Sequence, residues 1–177
     1  MCGNGMRCYA KFVYDNKIMN KKEFTVETLA GTIIPLVSVG SDGLVDMIRV
    51  DMGEPVLKAK NVPFVSENEQ AVNEKIVVDG EDVYLTAVSM GNPHAVIFVD
   101  STSNAPVTTL GPKIEKFAKF PEKTNVEFIE VISNNEMNMR VWERGAGETL
   151  ACGTGASASL VAAVLNGKTD NKALIHL

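Results

Sequence analysis

The residues with the clearest chemical content are two cysteines set in the same phrase, Cys2-Gly3-Asn4-Gly5 at the start of the chain and Cys152-Gly153-Thr154-Gly155 near its end. Each phrase stands just ahead of a helical pattern. A helix N-terminus presents backbone N–H groups without an intrahelical partner and about half a positive charge. Glycine lets a ligand approach that backbone closely, so each end suits a carboxylate or a phosphate. A cysteine there has its thiolate stabilised, which predicts a thiol titrating below the free value of about 8.5. Two such ends facing each other hold one carboxylate between them, with a sulfur on either side of the adjacent carbon. That arrangement inverts a carbon centre: one thiolate removes a proton from one face, the opposing thiol donates to the other, and the cradle stabilises the charge that develops on the carboxylate. Cys2 and Cys152 are therefore the candidate acid/base pair.

Other candidates group around them. Glu143 and Arg144 precede the loop Gly145-Ala146-Gly147 and lie upstream of Cys152. An acid for an ammonium beside an arginine for a carboxylate fits an amino-acid substrate. Gly91-Asn92-Pro93-His94 reads as a turn between strands, with His94 in a supporting role. Cys8, well inside the first helix, reads as a small packed hydrophobe. Cys2, Cys8, Cys152, His94 and His176 lack compact metal-ligand spacing, and Cys152 to Gly155 lacks the Lys-Ser/Thr of a phosphate loop. No metal and no cofactor is expected.

The elements that position these residues follow from hydrophobic period. Met6, Tyr9, Ala10, Val13 and Tyr14 recur at three- and four-residue steps and predict a helix from Gly3 to about Asp15. Strands are expected over 23–30, 32–39 and 44–52, then 75–78, 83–90 and 95–99, with Asp79-Gly80 as a hairpin turn. A helix is predicted over 110–120 with Pro112 in its first turn. Strands 125–132 and 137–144 form a further hairpin, Met137, Met139 and Val141 facing inward and Glu143 falling on the same side. Gly153 to Leu165 is almost wholly small or apolar, predicting a helix buried all round, and 173–177 reads as another strand. Many antiparallel strands around one buried helix is the economical α+β reading. The repeated Cys-Gly-x-Gly phrase suggests two related halves.

The chain has 177 residues, 45% of them hydrophobic and 22% charged, with a formal net charge of −5. That is enough to bury a core. The acidic balance and scattered lysines argue against a nucleic-acid partner. No apolar run approaches the roughly 20 residues of a membrane span, no export signal opens the chain, and three cysteines outside any disulfide pattern point to a reducing cytoplasm.

Taken together, Met1-Cys-Gly-Asn-Gly-Met-Arg-Cys8, Met90-Gly-Asn-Pro-His-Ala95, Thr124-Asn-Val-Glu127 and Trp142-Glu-Arg-Gly-Ala-Gly-Glu-Thr-Leu-Ala-Cys-Gly-Thr-Gly-Ala156 resemble diaminopimelate epimerase, in family order and over most of the chain. The resemblance implies that Cys2 and Cys152 are the acid/base pair. It implies that Gly3, Asn4, Gly153 and Thr154 hold the reacting carboxylate through backbone N–H groups, that Asn92, Asn125 and Arg144 grip the distal end, and that Glu143 takes the reacting ammonium. It further implies two pseudo-symmetric halves, each a β-barrel-like sheet wrapped around a central helix, working without pyridoxal phosphate or metal on LL- and meso-diaminopimelate for lysine and cell-wall precursors. On this comparison the chain is expected to be shortened at both ends. Residues 1–43 would be what remains of the first half, and 44–177 a nearly complete second half. A proline racemase of the same fold, a non-catalytic remnant and a redox-responsive protein using Cys2 and Cys152 are the alternatives. A homodimer is left open.

Overall fold

The computed structural model describes residues 3–28 and 31–177. It divides into two compact units, Met1–Gly53 and Glu54–Leu177. The boundary expected after Gly43 lies ten residues later, because strand β4 (Val45–Val50) forms a hairpin with β3 (Pro35–Val39) and stays with the first unit.

In the first unit, helix α1 (Gly3–Asp15) buries Met6, Ala10 and Val13. Ala10 and Val13 pack with Phe24, Val37 and Val45 in one cluster. Two polar contacts fix the helix to β4: Val45 N–H donates to Asp15 Oδ1 at 2.9 Å, and Lys11 donates to the Val45 carbonyl. Short strands β1 (Val26–Thr28) and β2 (Gly31–Ile33) pair antiparallel.

The second unit is built on one mixed sheet. Its strands are β5 (Glu74–Val78), β6 (Glu81–Ser89), β7 (Pro93–Phe98), β8 (Asn125–Ser133), β9 (Glu136–Glu143), β10 (Gly147–Thr149) and β11 (Leu174–His176), ordered β10-β9-β8-β7-β6-β5 with β11 also on β9. Pairings are antiparallel except β7–β8 and β9–β11, which are parallel. A parallel neighbour needs a crossover rather than a tight turn, and α2 (Val107–Glu115) provides it between β7 and β8. The expected Asp79-Gly80 hairpin is present, both residues at positive φ (54° and 86°) as a primed turn requires. Helix α2 starts three residues before the expected position, so Pro112 stands inside it rather than in its first turn.

Helices cover both faces of the sheet: α2 packs on β8, β9 and β10, and α3 (Gly153–Leu165) on β6, β7 and β8. The middle strands are therefore buried on both sides, from Pro93 to Ile97 in β7 and from Asn125 to Ile129 in β8. Alternation sorts the residues. Leu85, Ala95, Ile97, Val126 and Phe128 join Val107 and Ile114 of α2 in the main core. His94, Asn125 and Glu127 alternate with them and point to the α3 side. Helix α3 is not buried all round. Thr154, Gly155, Ala158, Ser159, Ala162 and Ala163 form one buried stripe, while Val164 and Leu165 are exposed. Small residues in that stripe let the helix lie close on the sheet.

Candidate active site

Cys152 is the residue immediately before α3, in extended backbone conformation (φ −131°, ψ 109°). Its Sγ accepts from Gly155 N–H at 3.4 Å and lies 3.4 Å from Thr154 Oγ1. The sulfur thus caps the helix, and the N–H groups of Gly153 and Thr154, with no carbonyl one turn back, remain at the mouth. The predicted low thiol titration does not occur. Burial, with the charges of Glu127 and Glu143, pushes Cys152 up to about 11 against the lowering effect of Thr154 and Gly155. Desolvation of the charged form and two nearby acids outweigh the helix end.

From Thr154 a chain of contacts runs across the sheet. Asn92 Nδ2 donates to Thr154 Oγ1 at 3.3 Å, Asn92 Oδ1 meets His94 Nε2 at 3.1 Å, and His94 Nδ1 lies 2.6 Å from Glu127 Oε1. With Nδ1–H as donor, Glu127 Oε1 accepts from the ring, while Nε2 faces the Asn92 side-chain amide. His94 and Glu127 are both fully buried. Glu127 Oε2 has no hydrogen-bond partner among the described residues.

The sheet end beside this chain carries the other predicted residues. Asn125, almost fully buried, donates from Nδ2 to the Pro93 carbonyl at 3.0 Å and accepts at Oδ1 from Arg144 N–H at 2.9 Å. Its amide ties together the two loops that follow β6 and β9. Arg144 is exposed and its guanidinium donates to the Glu122 carbonyl at 2.9 Å. Glu143, half-buried at the end of β9, accepts from Thr149 Oγ1. The turn after β9 is anchored from below by Glu115, a buried acid of α2 that accepts from Trp142 Nε1 at 2.7 Å and from Gly145 N–H at 3.1 Å.

Of the residues picked out by sequence, Asn92, His94, Asn125, Glu143, Arg144, Cys152, Gly153 and Thr154 belong to the second unit. Those tied into one hydrogen-bonded chain are Asn92, His94, Cys152 and Thr154. Gly3 and Asn4 open α1 in the first unit, where Asn4 Oδ1 accepts from the Arg7 guanidinium. Cys2 lies outside the described residues. Cys8 is exposed rather than packed. Tyr9, expected on the inner stripe, is exposed too, as is Phe12 beside it, so the buried stripe is narrowed to Met6, Ala10 and Val13.

Two acids carry contacts that sequence reasoning gave no role, Glu127 and Glu115. The signal was present for Glu127: an acid at an inward position of a strand whose other residues are apolar is out of place without a partner. No set of three or more His, Cys, Asp or Glu able to hold a metal occurs among the described residues, and no helix among them is long and apolar enough to cross a membrane.

Comparison with known proteins bears on this arrangement directly. A family model described as diaminopimelate epimerase matches residues 1–58 and 86–177. Diaminopimelate epimerases of Desulforapulum autotrophicum and Heliobacterium modesticaldum are 60% and 54% identical to the chain over all 177 residues. The chain spans 62% and 63% of their lengths. Among solved structures, one described as a "probable proline racemase" from Agrobacterium radiobacter K84 superposes with a TM-score of 0.69 at 18% identity, covering 96% of this chain and 54% of that one. A hydroxyproline epimerase from Agrobacterium vitis gives 0.65 at 16%, covering 92% and 51%. These two likenesses establish the α+β fold alone.

Proposed function

We infer that this chain, which belongs to the diaminopimelate epimerase family, carries the two-cysteine machinery that interconverts LL- and meso-diaminopimelate by proton transfer at the α-carbon. The observation that carries the reading is the buried Cys152 thiol at the open end of α3, joined through Thr154 and Asn92 to His94.

The reaction needs one group to remove the α-proton and another to deliver a proton to the opposite face. Cys152 is proposed as one of them and Cys2 as the other. Burial above all sets the Cys152 titration near 11, so Cys152 is proposed to start as the donor. The Gly153 and Thr154 N–H groups are proposed to bind the reacting carboxylate and stabilise the charge that spreads onto it. Gly3 and Asn4 would do the same beside Cys2. Glu143 is proposed for the reacting ammonium. That ammonium would neutralise one of the two charges that add to the effect of burial on the thiol. Arg144, with Asn92 and Asn125, is proposed for the distal end. We assign His94 a supporting role through Asn92, and the work of the chain to lysine and peptidoglycan precursor synthesis in the cytoplasm. The family name of the relatives and the absence of any disulfide pattern support these last assignments.

The test is solvent deuterium incorporation at the substrate α-carbon, read by NMR with diaminopimelate and with proline as separate substrates. The expected result is exchange with diaminopimelate, lost in Cys152→Ser because serine is a far poorer base at neutral pH. Exchange with proline alone would overturn the substrate assignment. No exchange from a folded sample would overturn the catalytic reading.

A further inference from the structure

Glu127 is a buried titratable group that the proposed reaction does not use. Its carboxyl is fully buried, with Oε1 held 2.6 Å from His94 Nδ1 and Oε2 without a hydrogen-bond partner among the described residues. An unpaired carboxylate oxygen in such a place is costly, and an apolar residue of similar size would fill the space without that cost.

Its position suggests what it does. On β8, Glu127 alternates onto the face covered by α3. A Cβ placed on Gly155 would lie 2.7 Å from Glu127 Oε1 and 3.2 Å from Cys152 Sγ. The carboxyl and the sulfur therefore flank one point on the first turn of the helix, and only a residue without a side chain leaves room for both. We propose that Glu127 is a positioning residue acting on Cys152: its carboxylate, fixed by His94 and standing across Gly155 from the sulfur, makes the Cys152 thiolate harder to form. The proposal rests on the reading of Cys152 as half of the acid/base pair.

The charged groups around the sulfur are few. Helix α3 carries none. Of the strands beneath it, β7 contributes His94, and β8 contributes Glu127 and Glu130. Glu130 is engaged by Thr102 and Asn138. Strand β6 contributes Glu81 and Asp82, both exposed, with Asp82 paired to Lys75. Glu143 of β9 is the second acid that raises the thiol, after Glu127. Removing the Glu127 charge therefore leaves one acid rather than two.

The experiment is alkylation of Cys152 by iodoacetamide in the full chain between about pH 7 and pH 9, followed on its own peptide by mass spectrometry. Exposed Cys8 is the internal reference. Glu127→Gln keeps the size of the side chain and its contact to His94 but removes the charge. Its Cys152 thiol is expected to titrate about one unit lower and, since a less basic thiolate is also a weaker nucleophile, to react about three- to fourfold faster at a given pH, with Cys8 unchanged. Glu127→Asp retains the charge and is expected to stay within about twofold of the unsubstituted chain.

An unchanged rate in Glu127→Gln overturns the proposal. So does an equally fast Glu127→Asp, because loosened packing rather than charge would then be the cause. Should Glu127→Gln not fold, carboxyl ¹³C NMR of the unsubstituted chain decides. The Glu127 resonance should move when Cys152 is capped as a neutral mixed disulfide, and a static resonance overturns the proposal. Both measurements are made without substrate, so they stand or fall apart from the exchange assay.

Discussion

The tightest contact in the candidate site makes Gly155→Ala the most discriminating substitution. Inside a helix, alanine in place of glycine ordinarily gains about 1 kcal/mol, partly through the unfolded chain. Gly155 has ordinary helical backbone, so nothing in its conformation forbids that gain. The new methyl, however, would stand 2.7 Å from Glu127 Oε1 and 3.2 Å from Cys152 Sγ. Neither neighbour is a free surface group, since both are buried and Glu127 is tethered to His94 at 2.6 Å. Overpacking of this kind costs about 1–3 kcal/mol, and weakening a hydrogen bond to a charged group adds about 1.5–3 kcal/mol. Set against the helical gain, the net expectation is a loss of about 2 kcal/mol. With a urea dependence of about 2 kcal/mol per molar, the unfolding midpoint falls by about 1 M. Trp142 is the sole tryptophan and lies in the second unit, so its fluorescence reports the affected region.

The reasoning is refutable through a double-mutant cycle. In a Glu127→Ala background the carboxylate is gone, and Gly155→Ala should become neutral or mildly stabilising. The expected coupling is about 2 kcal/mol or more. If Gly155→Ala costs the same in both backgrounds, or stabilises the unsubstituted chain, the close packing of Glu127 on the first turn of α3 is not what requires glycine.

Two further outcomes follow from acids held by several hydrogen-bond donors, the buried Glu115 and the half-buried Glu74. Trp142→Phe removes the donor that pairs with Glu115 Oε2 at 2.7 Å and leaves a buried carboxylate short of a partner. A loss of about 1–3 kcal/mol is expected in thermal unfolding followed by circular dichroism. Glu74 is raised by burial, but Lys119, Ser66 and Asn68 together hold it below the ordinary 4.5. Its contribution is complete above that value and is lost as pH falls through the lower folded-state value. Glu74→Gln should therefore be less stable at neutral pH, with a deficit that fades in urea titrations below about pH 4.

The elements were largely legible because their periods are strong. Helix α3 was placed at Gly153–Leu165, and the Met137, Met139, Val141 alternation marked the inner face of β9. What a single strand cannot show is its neighbour. The parallel pairing of β7 with β8 depends on α2 carrying the chain back over the sheet, and nothing within either strand encodes it. The same holds for α3, whose composition suggested burial all round although the sheet covers only one side of it. The phrases offer candidate residues but do not reveal the partners of those residues. The phrase around His94 gives no sign of the acid it pairs with, which lies 33 positions away and is brought beside it only by the register of two parallel strands.

The direction in which Cys152 titrates shows why that matters for chemistry. Sequence exposes one influence on the thiol, the N-terminal end of its own helix, which favours the thiolate. The fold adds two that act the other way. Packing α3 on the sheet removes water from the sulfur, and the pleat of β8 and β9 aims Glu127 and Glu143 toward it. Local dipoles of about half a charge are set against desolvation and two acids, and the second group wins. A cysteine whose sequence context favours the thiolate thus holds its proton more tightly in the fold than a free side chain does. Burial contributes most to that hold and Glu143 least, so the decisive influence on the thiol is the packing of α3 on the sheet, which no property of the Cys-Gly-x-Gly phrase reveals.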